Sequence, residues 1–123
     1  MILQAKIWIF PEGTRNKNPN ILMPFKKGAF RLAIQNQIPI IPIVFSPYYF
    51  VNWQERRFQS GTVVIEILPP IPTEGYTYSN IDSLTQTTYA IMSEKNKELR
   101  MMRPIDYCDM KTRKKSIIVK PNF

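Results

Sequence analysis

Glu12, Gly13, Thr14 and Arg15 stand in immediate succession between an apolar run and a loop rich in Asn and Pro. Arg15 can clamp a phosphate or carboxylate through two parallel hydrogen bonds. Gly13 lets the backbone N–H approach a ligand closely, and Thr14 offers a hydroxyl that donates or accepts. Glu12 can accept hydrogen bonds from glycerol or sugar hydroxyls, or fix Arg15. Lys26 and Lys27 fall at the start of an expected helix, where the helix N-terminus also favours an anion. Together these residues suit a small phosphorylated polyol. The same four residues also make an ordinary turn carrying a surface arginine, because Gly and Pro commonly mark turns. A P-loop is excluded, since the spacing G-x-x-x-x-G-K-[ST] is absent.

The totals narrow the partner. At 123 residues the chain is one domain or a piece of one, and a hydrophobic fraction of 44% is enough to build a core. The formal net charge is +8, unevenly placed: residues 1–60 carry eight basic and two acidic groups, 61–100 three and five, and 101–123 six and two. A basic half around a ligand loop implies an anionic partner: a phosphate ester, an anionic membrane surface or nucleic acid. Cys108 is the only cysteine and there is no histidine. That excludes an internal disulfide, fits a reducing compartment, and leaves zinc only an all-carboxylate ligand set that it rarely uses, so no metal site is expected. No apolar run reaches the length of a membrane span, and Met1 leads at once into strand-like sequence, so neither a transmembrane segment nor a signal peptide is expected.

The elements that must position the loop follow from periodicity. Leu3 to Phe10 reads as an interior, mostly parallel strand with Trp8 in the core, and Pro11 to Pro24 as a loop. Lys27 to Gln37 carries Phe30, Ala33 and Ile34 at helical spacing, and Ile38 to Phe45 is a second apolar strand with Pro39 at its entry. Strand, helix and strand make a right-handed βαβ unit. Tyr48 to Phe58 is ambiguous, and Thr62 to Leu68 is a third strand stopped by Pro69, Pro70 and Pro72. A long helix is expected from about Ile81 to Met102, with Ser79 or Asn80 as its cap. The fold class is therefore α/β: a partial, mostly parallel sheet with flanking helices. Residues 1–103 form the ordered part and 104–123 a basic, flexible tail. Three strands and two helices cannot cover both faces of a parallel sheet, so the expectation is the second half of a larger domain.

Several motifs in series carry a family resemblance. "FPEGTRN" (Phe10 to Asn16), "LMPFKKGAFRLA" (Leu22 to Ala33) and "IPIIPIVFS" (Ile38 to Ser46) resemble, in order and spacing, motifs of the glycerolipid acyltransferases. "ERRFQSG" (Glu55 to Gly61) and "ILPPIPTEG" (Ile67 to Gly75) resemble the downstream part of the 1-acylglycerol-3-phosphate, or lysophosphatidic acid, acyltransferases. The resemblance covers roughly residues 1 to 100. It implies that Glu12, Gly13, Thr14 and Arg15 bind the glycerol-phosphate part of lysophosphatidate, with Arg15 on the phosphate. It further implies that Ile38, Pro39 and Pro42 shape the acyl or acceptor site. No cofactor is implied; acyl-CoA is the co-substrate, and the product is phosphatidate. The implied setting is phospholipid biosynthesis at a membrane face of the endoplasmic reticulum.

The departures from that family are as informative. Its catalysis uses an upstream Asn-His-x-x-x-x-Asp motif, whose His deprotonates the acceptor hydroxyl. This chain has no histidine to serve as that base. Glu12 is a binding residue by resemblance, and a lysine ammonium ordinarily keeps its proton at neutral pH. Catalytic residues are therefore expected in a missing amino-terminal half, and the 123-residue chain alone is expected to be inactive. The alternative is a non-catalytic remnant that binds lipid phosphate or a protein partner. Tyr48, Tyr49, Phe50 and Trp53 beside Arg56 and Arg57 read as an interfacial belt or as a packed surface loop. Nucleic acid is not expected: "KKGAFRLAI" lacks the alternating aromatics that stack bases on an RNA-binding sheet.

Overall fold

A computed structural model describes residues 6–18, 21–47, 51–52, 54–58, 63–102 and 116–119. Helix α1 (Gly28–Asn36) is followed by strands β1 (Ile43–Phe45), β2 (Val51–Asn52), β3 (Arg57–Phe58) and β4 (Val63–Ile67). Helix α2 (Ile81–Met101) and strand β5 (Ser116–Val119) complete the order. The chain is mixed α/β, as expected, but the sheet differs. Every strand pairing among the described residues is antiparallel: β1 with β4, β4 with β5, and β2 with β3. The mostly parallel sheet is thus not what these strands form. Lys6 to Phe10, the described part of the expected first strand, joins no ladder, while Leu3 to Ala5 lie outside the described residues.

Proline explains why β1 is shorter than its apolar run. Pro39 and Pro42 have no N–H to give a ladder, so pairing shrinks to the isolated bridge Ile40–Ile71 and to β1 itself. Leu68 N–H still donates to the Pro42 carbonyl (2.9 Å). Between bridge and ladder lie Ile41 and Pro42 on one strand but Leu68, Pro69 and Pro70 on the other. The extra residue makes a bulge, which bends the strand and places the prolines where no ladder bond is required. β5 comes from within the segment expected as a tail; the remainder of that segment, 104–115 and 120–123, lies outside the described residues. The ambiguous stretch yields the β2–β3 hairpin. There Asn52 Oδ1 accepts the N–H groups of Gln54 and Glu55 (3.0 and 3.1 Å), an Asx turn. Tyr48, Tyr49, Phe50 and Trp53 lie outside the described residues.

Helix α2 joins two cores. Its first turns give Ile81 and Leu84 to a cluster with Phe30 and Ile34 of α1, over which Phe25, Ile40, Ile71 and Tyr76 pack. Its last turns give Leu99, with Met92, to a cluster with Val44, Val64 and Leu68. Thr85 and Thr88 are buried without cost because their hydroxyls donate to the carbonyls of Ile81 and Leu84 (both 2.9 Å). Asn80 is the residue at the N-cap of α2, as expected, although its side chain makes no bond to the first turn of that helix. A short 3-10 turn (Tyr78–Asn80) precedes it, and Asn80 Oδ1 accepts the Thr77 N–H (2.6 Å).

One sheet face is covered and the other is bare. Alternation along β4 turns Val64 and Glu66 toward α2, and Ile65 and Ile67 the other way. On the bare face Ile43 pairs across from Ile67, and Phe45 from Ile65. Trp8 lies 6.3 Å from Phe45, ring to ring, and Ile7 to Phe10 are 43–67% exposed. The apolar run was expected to be interior. It is exposed because nothing among the described residues forms a layer on this side.

On the covered face Glu66 meets Lys95 Nζ at 3.3 Å, and Lys95 also reaches Glu98 (2.5 Å). Burial alone would lower the Lys95 pKa, but the hydrogen bond to Glu98 and the Glu66 carboxylate together raise it above 10.5. A cation whose folded pKa exceeds its unfolded one stabilises fully below the unfolded value and loses that contribution as pH rises through the folded value. Lys95→Met should therefore flatten the alkaline limb of the stability curve above pH 10.5, leaving its neutral-pH shape unchanged. Thermal melts across the alkaline range would measure it.

Candidate functional site

The Glu12–Arg15 loop is built by a β-turn and then tied shut. Gly13 N–H donates to the Phe10 carbonyl (3.1 Å), with Pro11 at the second turn position and Gly13 at the fourth, both favoured there. Gly13 then takes φ +71, a left-handed value that a side chain resists. The chain leaves the loop, runs to residue 18, and returns along Leu22 to Lys26. Lys26 N–H donates to the Pro11 carbonyl (2.7 Å). That bond places the N-terminus of α1 beside the loop.

The returning segment is held from two sides. Glu12 Oε2 accepts the Met23 N–H (2.9 Å) and an Asn16 Nδ2 proton (3.0 Å). From α2, the Tyr89 hydroxyl donates to the Leu22 carbonyl (2.9 Å), and its ring meets Phe25 edge-on at 5.1 Å. Phe25 in turn stacks on Phe30 of α1 at 6.3 Å. The loop thereby inherits the rigidity of the first core.

The expected site residues divide into two groups. Arg15 and Thr14 are exposed, and Arg15 makes no hydrogen bond or ion pair among the described residues. Lys26 lies along Gly13: a Cβ built on Gly13 would stand 2.7 Å from Lys26 Cδ and 3.1 Å from its Nζ. Two cations, Arg15 and Lys26, thus belong to one small loop at a helix start that has no acidic residue in its first turn. Such a start leaves backbone N–H groups of α1 without intrahelical partners. Lys27 is different. It forms the residue before α1 and pairs with Asp82 of α2 (2.6 Å), so its charge is partly balanced away from the loop. Both groups are exposed, and such pairs contribute little to stability. Glu12 does not fix Arg15; its Oε2 closes the loop instead.

Ile38, Pro39 and Pro42 serve the backbone. α1 ends at Gln37 in the left-handed region, with Gln37 N–H on Ile34 O (3.2 Å) and Ile38 N–H on Ala33 O (3.1 Å), a Schellman-type stop. The buried Thr73 hydroxyl donates to the Ile38 carbonyl (2.8 Å). Ile38 and Pro39 are exposed and Pro42 is buried. No hydrogen bond among the described residues links the three to the Glu12–Arg15 loop.

Gly13→Ala tests the close packing of loop and lysine. A left-handed alanine costs about 1–2 kcal/mol, and its Cβ would push the Lys26 side chain aside. The lysine chain is flexible, so the steric part falls on its position more than on stability. The expected result is a melting temperature lowered by roughly 4–16 °C, at about 4–8 °C per kcal/mol for a small domain, and a weaker affinity for phosphate esters. Calorimetric melts and titrations read both.

The comparisons fall on these same elements. Residues 3–46, from the run before the loop through β1, match the acyltransferase family model. The chain is more particularly similar to the human 1-acyl-sn-glycerol-3-phosphate acyltransferase beta, 49% identical over 88 residues (71% of this chain, 31% of that protein). The human alpha form is 54% identical over 81 residues (65% of this chain, 28% of that protein). A putative 1-acyl-sn-glycerol-3-phosphate acyltransferase of Caenorhabditis elegans is 45% identical over 98 residues (78% of this chain, 34% of that protein). The chain thus spans about a third of the length of these relatives. No solved structure matches it.

Sequence reasoning missed Asn16, Met23 and Tyr89. The signal for Asn16 is local, an amide four residues after Glu12 in a turn-rich segment. Tyr89 had none, since its partner lies 67 residues away.

Proposed function

We propose that this chain is the acceptor-binding part of a 1-acylglycerol-3-phosphate acyltransferase, holding the phosphate and glycerol of lysophosphatidate. The reading is supported most by one arrangement: an exposed Arg15 and Lys26, neither in an ion pair among the described residues, on a tied loop beside the start of α1. Arg15 clamps the phosphate through two charge-assisted bonds. Lys26 adds a second positive charge, and the α1 N-terminus adds partial positive charge of the same sign. Thr14 supplies a hydroxyl for the glycerol or for a phosphate oxygen. Glu12 takes glycerol hydroxyls with Oε1 while Oε2 holds the loop. Ile38, Pro39 and Pro42 shape the acyl or acceptor site by fixing the path out of α1.

In the transfer itself, the acceptor hydroxyl attacks the thioester carbonyl of acyl-CoA. The C–S bond breaks, coenzyme A leaves as the thiol, and an ester forms. A base must take the hydroxyl proton, and this chain has no histidine to do so. Its residues therefore bind and orient, and an Asn-His-x-x-x-x-Asp segment from an amino-terminal half supplies the proton chemistry. The bare face of Ile43, Phe45, Ile65 and Ile67, with the exposed run Ile7–Phe10, fits that arrangement. There we place the rest of a larger, mostly parallel acyltransferase sheet, working at a membrane face of the endoplasmic reticulum. No helix among the described residues is long and apolar enough to cross a membrane.

Titration of the chain with glycerol 3-phosphate, watched by amide chemical shifts, tests the reading. Saturable shifts at Gly13, Thr14, Arg15 and the first residues of α1 are expected. Shifts absent there, or matched by glycerol without phosphate, would overturn it.

A further inference from the structure

The side chain of Asn16 makes three hydrogen bonds at once. Its Nδ2 donates to Glu12 Oε2 (3.0 Å) and to the Ile21 carbonyl (2.5 Å), and its Oδ1 accepts the Asn18 N–H (2.9 Å). Glu12 Oε2 is therefore shared between Asn16 on the outgoing limb and the Met23 N–H on the returning limb. Arg15 lies between Glu12 and Asn16 in sequence but bonds to neither among the described residues.

We infer that Asn16 is a positioning residue for the phosphate-binding arginine, acting through Glu12, and that Glu12 needs the amide of Asn16 to keep its carboxylate turned into the loop. This rests on the reading of the loop as a phosphate site. The physical reason is charge. Glu12 is the only acid among residues 6–27, where the other charged groups are Lys6, Arg15, Lys17, Lys26 and Lys27. Left untied, its carboxylate is the natural partner for Arg15 and would compete with a bound phosphate. Two neutral donors on Oε2, an amide N–H₂ and a backbone N–H, satisfy it instead. Arg15 is then left available, and the limbs that flank it keep a fixed separation. An amide is suited to this because it donates and accepts from one planar group. A carboxylate in its place would accept only, and would repel Glu12.

Asn16→Asp separates this role from a merely structural one. Near neutral pH two carboxylates would face each other at the position of the 3.0 Å bond, so the loop opens and Glu12 turns to Arg15. Glycerol 3-phosphate affinity should fall by about 10- to 100-fold relative to wild type. Asn16→Ala, which removes the donor without adding a charge, should show a smaller loss. Adding Glu12→Gln to Asn16→Asp should recover part of the affinity, because the amide again bonds residue 16 and no carboxylate at position 12 competes for Arg15. Both single variants should keep the far-ultraviolet spectrum of the wild type, since Asn16 belongs to neither buried cluster. Equal affinity of wild type and Asn16→Asp near neutral pH would overturn the inference, as would an Asn16→Asp loss that Glu12→Gln leaves unchanged. Absence of glycerol 3-phosphate binding by the wild type itself would instead overturn the phosphate-site reading, and the inference with it.

Discussion

Arg15→Ala should lower the affinity for glycerol 3-phosphate by roughly 10- to 100-fold while leaving the thermal midpoint within a degree or so of wild type. The magnitude follows from the bonds at stake. Hydrogen bonds to a charged group contribute about 1.5–3 kcal/mol, and a guanidinium offers two of them to one phosphate. The small effect on stability follows from the structure. Arg15 is exposed and makes no hydrogen bond or ion pair among the described residues, so its truncation removes little from the folded state. Arg15→Lys keeps the charge but not the fork, and should recover only part of the loss. In an assembled enzyme the same variant should raise KM for lysophosphatidate and leave KM for acyl-CoA unchanged. Unaltered acceptor kinetics would remove Arg15 from the site.

Leu84→Ala should produce the opposite pattern, a large loss of stability reaching the site only indirectly. Leu84 is fully buried in the cluster that joins α2 to α1. Truncating such a leucine costs about 2–5 kcal/mol, through lost transfer energy and the cavity left behind. A small domain has only about 5–15 kcal/mol in total, so the variant should unfold at clearly lower denaturant concentration. Urea unfolding followed by circular dichroism measures the midpoint. A shift corresponding to less than about 1 kcal/mol would mean that the two helices do not share one core.

The helices and the turn at Pro11 to Gly13 were legible in the sequence, whereas the direction of the strands was not. α1 was readable because Phe30, Ala33 and Ile34 repeat at helical spacing, and those residues are the buried ones. α2 was readable for the same reason, with Ile81, Leu84, Thr88 and Leu99 inward. Strand direction is not encoded in such local patterns. An all-apolar run reads as an interior parallel strand whether or not a partner strand is present, and among the described residues Ile7 to Phe10 join no sheet. β1 pairs with the later strand β4, through a bulge set by prolines on both sides. β5 was missed because four β-branched or small residues in a basic tail carry too short a signal. At the site, Arg15 and Lys26 were visible by type, whereas the pairing of Lys27 with Asp82 depends on how two helices meet.

The dependence of both buried clusters on α2 sets an order of events during synthesis. The chain leaves the ribosome from its amino end, and domains fold as units once their contacts are available. The loop at residues 12–15 is made early, yet its brace from Tyr89 arrives only when α2 has emerged. Leu84 and Leu99, which close the two clusters, come from the same helix. A nascent chain stopped before residue 81 would carry every residue of the Glu12–Arg15 loop and neither of the packed surfaces that hold it in place.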